Sequence, residues 1–374
     1  MNQFLGWESA REKFTNTWMG KVVDLAQQAL WDTEFVNTKL FPRQTNWDDT
    51  IDDTYNLKML YPAPYKQQFG SAAVDNTPDR TTKTTLDAWT KAIIRQLDPR
   101  KFKWVGLANT AAVQQWRELH ENAERVVSEM IQQIEITNEK ECWDTLTSGV
   151  LTLTGGYTFT LPIHGITNLS PGISYHTRKS WFTNTGDVIT TASVSADIEA
   201  ALKYTRLNHF DKITTVWMNS TTWEAIYNNT RLSNTGGDLW WQPIQTTAIK
   251  GGLMDFQDRS KIVMLGSLPF YGLKVIINDS FYRTAGGVQT MFLPDYYVVY
   301  TPNVVGTRYV LPNDTTWVPE RYIKNWVTPP PAAPGLNFEA GETSACYPNN
   351  RGNLDTTTGL CTWKSHYVQY VKAP

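Results

Sequence analysis

Between Asn109 and Gly149 the apolar residues Val113, Trp116, Leu119, Ala123, Val126, Val127, Met130, Ile131 and Ile134 recur at steps of three and four. That period predicts one amphipathic helix, with a single apolar stripe and a charged remainder. Asn109 or Thr110 can cap its start, because either side-chain oxygen can accept an orphan backbone N–H. Gly149 can close its end, since glycine enters the left-handed region without a Cβ penalty. Neither Gly nor Pro interrupts the run, so the helix is expected over about 110–148 and roughly 55–60 Å long. Val113, Trp116, Ala123, Val127, Met130 and Ile134 nearly fit a heptad seam. His120 also falls on that seam, however, and Leu119, Val126 and Ile131 widen the stripe, so packing against a sheet or arm is expected rather than a coiled coil.

The pattern changes on either side of this beam. Residues 1–58 carry one amphipathic segment, Met19 to Trp31, among scattered aromatics (Trp7, Trp18, Phe35, Phe41, Trp47). Such a stretch has no core of its own and reads as an arm lying on something else. Residues 59–104 hold a polar middle, Gly70 to Thr85, that reads as a loop tip. After Gly149, Val150 to Thr154 and Tyr157 to Leu161 flank Gly155-Gly156, a two-residue hairpin signal. A helix is expected over Ser193 to Tyr204, a buried strand over Ile213 to Met218, and a helix from Ser220. Strands follow at Lys261 to Leu265, Leu273 to Ile277, Val288 to Leu293 and Tyr296 to Tyr300. Pro329-Pro330-Pro331 and Pro334 mark a break, then a Gly/Asn/Thr-rich excursion to Leu360 and an aromatic strand, Trp363 to Val371. No repeat of 20 to 50 residues is present.

Charge sharpens this division. Over the 374 residues, 34 Lys and Arg nearly balance 36 Asp and Glu, unlike a dedicated nucleic-acid binder. Locally the balance is uneven. Residues 59–104 carry Lys66, Arg80, Lys83, Lys91, Arg95, Arg100, Lys101 and Lys103 against four Asp, a net of +4. The long helix carries Arg117, Arg125 and Lys140 against Glu118, Glu121, Glu124, Glu129, Glu135, Glu139, Glu141 and Asp144, a net of −5. Segments of opposite sign can pair within one subunit or between subunits. No window approaches the roughly 20 apolar residues of a membrane span, and Met1 to Phe14, with four charges, does not read as a signal peptide. The 16 Trp and 17 Tyr suit either a sugar-binding surface or extensive subunit interfaces.

Candidate chemistry is sparse. There is no phosphate-cradling Gly-rich loop with Lys-Ser/Thr, and Gly266-Ser267-Leu268 lacks the second glycine of a nucleophile elbow. His120-Glu121 has no second histidine four residues on, and His164, His176, His209 and His366 are scattered. Asp48, Asp49, Asp52 and Asp53 lack the spacing of a calcium loop and read as a solvated acidic turn. Cys142 reads as a small buried hydrophobe. Cys346 and Cys361 can join across a loop but are expected free in a reducing compartment. No catalytic, metal or cofactor residue is assigned.

The order of arm, polar loop, long helix and mixed α/β region resembles the Hong Kong 97 fold of tailed-bacteriophage major capsid proteins, more narrowly the lambda-type E family. The resemblance covers roughly 100–312. It is carried by Trp181 with Gly186-Asp187-Val188-Ile189, by Ala196-Asp197-Ile198, and by Ile213 to Asn219 with Trp223 and Asn228-Asn229. Phe270-Tyr271-Gly272-Leu273-Lys274-Val275 with Asn278-Asp279, and Phe292-Leu293-Pro294-Asp295, complete it. It implies an α+β chain with an N-terminal arm (1–58), an extended loop (59–104), a peripheral domain with the spine helix (105–190), an axial domain (191–300), and return strands of the peripheral domain with an inserted tail (301–374). It implies a virion protein, assembled in the host cytoplasm through hexamers and pentamers into an icosahedral head around double-stranded DNA. Scaffolding, portal and decoration proteins are the further partners, with no cofactor and no membrane. Against that background the charge count suggests that Arg80, Lys83, Lys91 and Arg95 meet Glu118, Glu121, Glu124 and Glu129 of an adjacent subunit. The rival readings are a Trp/Tyr-rich glycan-binding β protein and a carbohydrate-active enzyme working through paired carboxylates.

Overall fold

The computed structural model describes residues 36–48, 51–56, 81–86, 88–97, 109–152, 158–160, 180–187, 189, 194–207, 211–227, 242–243, 262–268, 273–284, 286–313, 317–328, 335–349, 351–354, 361–363 and 365–372. In chain order the helices are α1 (Asn37–Leu40), α2 (Asn109–Thr147), α3 (Val194–Leu207) and α4 (Ser220–Tyr227). The strands are β1 (Arg43–Thr45), β2 (Ile51–Asn56), β3 (Thr81–Leu86), β4 (Trp89–Leu97), β5 (Val150–Thr152), β6 (Thr158–Thr160), β7 (Thr215–Met218), β8 (Gln242–Pro243), β9 (Ile262–Leu268) and β10 (Leu273–Asn278). They continue as β11 (Phe281–Arg283), β12 (Gln289–Met291), β13 (Tyr297–Thr301), β14 (Gly306–Leu311), β15 (Tyr322–Thr328), β16 (Gly335–Pro348), β17 (Arg351–Leu354), β18 (Cys361–Trp363) and β19 (Tyr367–Tyr370).

The long helix α2 starts and stops where its pattern predicts. Gly149 takes φ 66°, and its amide returns to Asp144 O at 2.8 Å, satisfying a carbonyl of the last turn. Val127, Met130, Ile131 and Ile134 are buried, as the apolar stripe requires. Beyond Ile134 the stripe gives out but the burial does not: Glu135, Asn138, Glu139, Glu141 and Thr145 are buried too. The C-terminal third of the helix is enclosed on most sides.

Two sheets enclose it. A six-stranded sheet runs β19-β13-β7-β10-β9-β8, with β7 and β10 parallel. Its central strand β7 is buried at every position, because both faces are covered. Val216 and Met218 pack with Trp181, Ile198 and Leu202 under α3. Trp217, on the opposite face, packs with Trp143 of α2 in an edge-on pair 5.7 Å between centroids. Helix α4 starts at a built cap, with Asn219 Oδ1 accepting the Thr222 amide at 2.9 Å.

The second sheet is five-stranded. β1 pairs with β14 in parallel, β14 and β15 both pair antiparallel with β16, and β4 lies along the other side of β16. Here the expectation needs correcting. The stretch after Pro334, read as a Gly/Asn/Thr-rich excursion, contains the 14-residue strand at the centre of this sheet. Its polar residues are buried against charged partners, so its composition hides its role. Gly341 is needed there, because the ring of Tyr322 on β15 lies 2.6 Å from where a Cβ would stand.

Smaller differences have equally local reasons. Asp52 and Asp53, read as part of an acidic turn, lie in β2, paired to Thr85 and Thr84 of β3. The β-branched threonines that looked like a loop tip supply that ladder. The hairpin after Gly149 forms, with Thr152 opposite Thr158. The turn at Gly155-Gly156 lies outside the described residues. The strand Tyr367–Tyr370 pairs with β13 in the six-stranded sheet. The amphipathic segment Met19 to Trp31 lies outside the described residues. No helix among those described is long and apolar enough to cross a membrane.

Candidate functional site

The face of the five-stranded sheet that meets α2 is set by strand alternation. Ser344, Glu342, Ala340 and Phe338 of β16 stand opposite Trp89, Lys91, Ile93 and Arg95 of β4. Cys346 stands opposite Arg308 of β14. Residues at this spacing share one side of the pleat, and that side receives the buried polar residues of the helix.

A layer of charge results. Lys91 Nζ pairs with Glu141 and donates to Asn138 Oδ1 at 2.7 Å and Ser344 Oγ at 3.1 Å. Glu141 also accepts the Cys346 amide at 2.8 Å and the Trp89 indole N–H at 3.3 Å. Arg321 bridges Glu135 and Glu342, donating to Glu342 Oε2 at 2.8 Å. Ser344 Oγ and Asn138 Nδ2 donate to Glu342 Oε1 at 2.8 and 3.3 Å. Arg308 lies 3.6 Å from Glu135 and 4.0 Å from Glu342, in ion pairs longer than hydrogen bonds. Three cations (Lys91, Arg308, Arg321) thus face three carboxylates (Glu135, Glu141, Glu342), all nearly inaccessible.

The electrostatics follow from burial and pairing. Burial alone would raise the Glu342 carboxyl, but Arg308 and Arg321 outweigh it and hold it well below the usual carboxylate range. Burial likewise works against a charged Arg308, and Glu342 and Glu135 more than restore it. Cys142 and Cys346 are both free and buried, and burial, with Glu139 and Glu141 respectively next in effect, pushes their thiols up. They stay protonated and unreactive, the outcome expected of Cys142. The side chain of Cys361 lies outside the described residues.

Two further clasps tie the helix end to its surroundings. Glu139 accepts the Val36 amide on both oxygens, at 3.1 and 3.0 Å, and the Trp143 indole N–H at 2.8 Å. His366 Nε2 lies 3.1 Å from Leu146 O, a carbonyl the helix leaves unpaired at its end. Full burial lowers the imidazole to about 4, so the ring is neutral and Nε2 carries the proton that Leu146 accepts.

The predicted contact residues divide. Lys91 serves its own chain, drawn onto Glu141. Arg95 is exposed and donates to Gln133 of its own helix at 3.2 Å. Glu129 is exposed, 3.8 Å from Arg125 one turn back, and Glu124 is half-buried. Lys83 sits opposite Thr54 in the β2–β3 ladder. Its side chain, those of Glu118 and Glu121, and the whole of Arg80 lie outside the described residues. Glu135, Glu141, Arg308, Arg321, Glu342 and His366 were not singled out as a site. The unequal charge of two neighbouring segments pointed to Glu135 and Glu141, and no sequence signal pointed to Arg308, Arg321, Glu342 or His366. Among the described residues no three His, Cys, Asp or Glu side chains converge to hold a metal ion. Each carboxylate of the layer lies in ion-pair range of at least one of the three cations.

No family profile matches the chain, and no curated protein matches it. Solved structures do. A protein described as a candidate capsid protein of an Escherichia coli CFT073 prophage aligns over 94% of this chain and 97% of its own, with TM-score 0.56 and 13% identity. A phage-related protein from Bordetella bronchiseptica RB50 aligns over 93% and 95%, with TM-score 0.44 and 9% identity. The capsid protein of a native GTA particle aligns over 89% of both chains, with TM-score 0.42 and 11% identity. The α+β architecture, with its long helix between two sheets, is the Hong Kong 97-like capsid fold.

Proposed function

We propose that this chain is the major capsid protein of a tailed phage, a subunit that assembles through hexamers and pentamers into an icosahedral shell around double-stranded DNA. One observation carries the reading: nearly the whole chain, end to end, shares its fold with the candidate prophage capsid protein. The subunit works as a structural element of the virion, and scaffolding, portal and decoration proteins are its further partners. The aromatic content fits this role better than sugar binding, because Trp143, Trp181, Trp217 and Trp223 are buried in the core.

Within the shell, the division 1–58, 59–104, 105–190, 191–300 and 301–374 assigns arm, loop, spine and axial functions. Lys91 stabilises its own subunit, which leaves Arg80, Lys83 and Arg95 to reach Glu118, Glu121, Glu124 and Glu129 of a neighbour. Contacts of this kind set register and encounter rate more than affinity. Electron microscopy of the purified, overexpressed chain tests the main reading: closed shells, tubes or rings of five and six are the expected result. A strict monomer with glycan affinity would replace it. Reversing Arg80, Lys83 and Arg95 to Glu should stop shell formation and leave the monomer folded; normal shells from that variant would remove the charge contact.

A further inference from the structure

Lys91 of β4 and Asn138 of α2 bring an amine and a carboxamide together under cover of the fold. The Lys91 Nζ donates to Asn138 Oδ1 at 2.7 Å. With a carbonyl bond of about 1.23 Å, the amine nitrogen then stands about 3–4 Å from Asn138 Cγ, the separation from which a bond can form. Asn138 is fully buried, and the Lys91 and Glu141 side chains are only 8% and 5% exposed. Water has little access to that carbon.

Two paths for protons are already built around the pair. Glu141 is in direct ion-pair contact with Lys91 Nζ and can take a proton from it. The second path links the attacking nitrogen to the nitrogen that leaves. Lys91 Nζ donates to Ser344 Oγ at 3.1 Å, and Ser344 Oγ donates to Glu342 Oε1 at 2.8 Å. Asn138 Nδ2 donates to that same carboxylate oxygen at 3.3 Å. Arg308 and Arg321 hold Glu342 ionised, so it passes a proton on without keeping it.

We propose that Lys91 and Asn138 join in an amide bond within one subunit. Lys91 gives one proton to Glu141 and becomes a free amine. Its lone pair attacks Asn138 Cγ, and the C=O electrons move to Oδ1. A second Nζ proton passes through Ser344 and Glu342 to Nδ2. The carbonyl reforms, the Cγ–Nδ2 bond breaks, and neutral ammonia leaves. A cavity of about 640 Å³, lined in part by Lys91, Glu141, Trp89 and Ile134, borders the pair and receives it. The third Nζ proton stays on the new amide, and no oxidant or cofactor takes part.

The charge layer stays balanced throughout. Three cations against three carboxylates become Arg308 and Arg321 against Glu135 and Glu342, with Glu141 neutral. The bond ties β4 to α2 across 47 positions of sequence, and such a link restricts the unfolded chain far more than the folded one. Both residues belong to one chain, so the reaction needs no shell.

Intact mass spectrometry of the purified full chain, denatured just before measurement, is the test. The wild type should be lighter than its sequence by one ammonia, and its digest should contain a branched peptide joining the Lys91 and Asn138 segments. Lys91→Arg keeps a cation beside Glu141 and should have its full mass. Ammonia lost instead by cyclisation at Asn138 would persist in that variant, without the branched peptide, and would overturn the bond. Glu141→Gln keeps both reacting groups but removes the proton acceptor, so the bond should form at least about tenfold more slowly; an unchanged rate would overturn the route through Glu141. A wild-type chain that keeps its full mass after prolonged incubation in the folded state would overturn the proposal whatever the variants do.

Discussion

Glu342 is the residue on which the buried charges converge, touched by Arg321, Asn138 and Ser344 and lying within ion-pair range of Arg308. Removing its charge leaves Arg308 and Arg321, both buried, with Glu135 as their one remaining carboxylate in the layer. Glu342→Gln should therefore cost about 3–5 kcal/mol, read as a lower urea midpoint of the dissociated subunit. His366 makes a separate prediction in pH. Its pKa falls from 6.5 to about 4 on folding, so the unfolded chain binds the proton more tightly in between. The contribution is intact above pH 6.5 and is lost as pH drops toward 4. It amounts to about 3 kcal/mol at about 1.4 kcal/mol per unit. Glu342, with its pKa lowered on folding from 4.5, adds a loss of the same sign below about pH 4.5. A His366→Gln subunit should show a flatter stability profile between pH 6.5 and 4, and an unchanged slope there would exclude His366 as the cause.

At the scale of elements, legibility tracks whether a segment's partners lie within its own pattern. Helix α2 could be read from its apolar period and Gly149, and β7 from its β-branched and apolar run Ile213 to Met218. Strand β16 could not, because Glu339, Glu342, Thr343 and Ser344 look like loop residues until Lys91, Arg308 and Arg321 stand beside them. The site was half-visible for the same reason: the opposite charges of two segments showed, but the choice of Lys91 for Glu141 needed the register of β4 on β16. A backbone test follows from that register. Ala340 faces Ile323 of β15 on one side and Ile93 of β4 on the other. Proline there removes a ladder donor from a strand paired on both sides. Ala340→Pro should leave the chain in the insoluble fraction; a soluble product with wild-type circular dichroism would refute the central placement of β16.

For the molecule as a whole, the end of α2 is the seam. One apolar cluster joins Trp143 and Leu146 of the helix to Trp217, Val299 and Val368 of the six-stranded sheet, Cys346 of the five-stranded sheet, and Val36, Leu40 and Phe41. Trp143→Ala empties its centre and should cost about 3–5 kcal/mol. Because the cavity borders both sheets, hydrogen exchange should accelerate in β7 and β16 together. Acceleration confined to one sheet would mean that the seam does not couple them.

The central position of β16 also sets an order of events during synthesis. β4 waits for a partner, β16, that the ribosome makes after almost everything else described, and β1 waits for β14, which precedes β16 with one strand between them. Until Gly335–Pro348 emerges, the five-stranded sheet has no middle, and the charged layer on α2 has no Glu342. Pairings this distant in sequence form slowly and late. A nascent chain therefore carries no finished five-stranded sheet, and that layer of the molecule closes only as the last strands leave the ribosome.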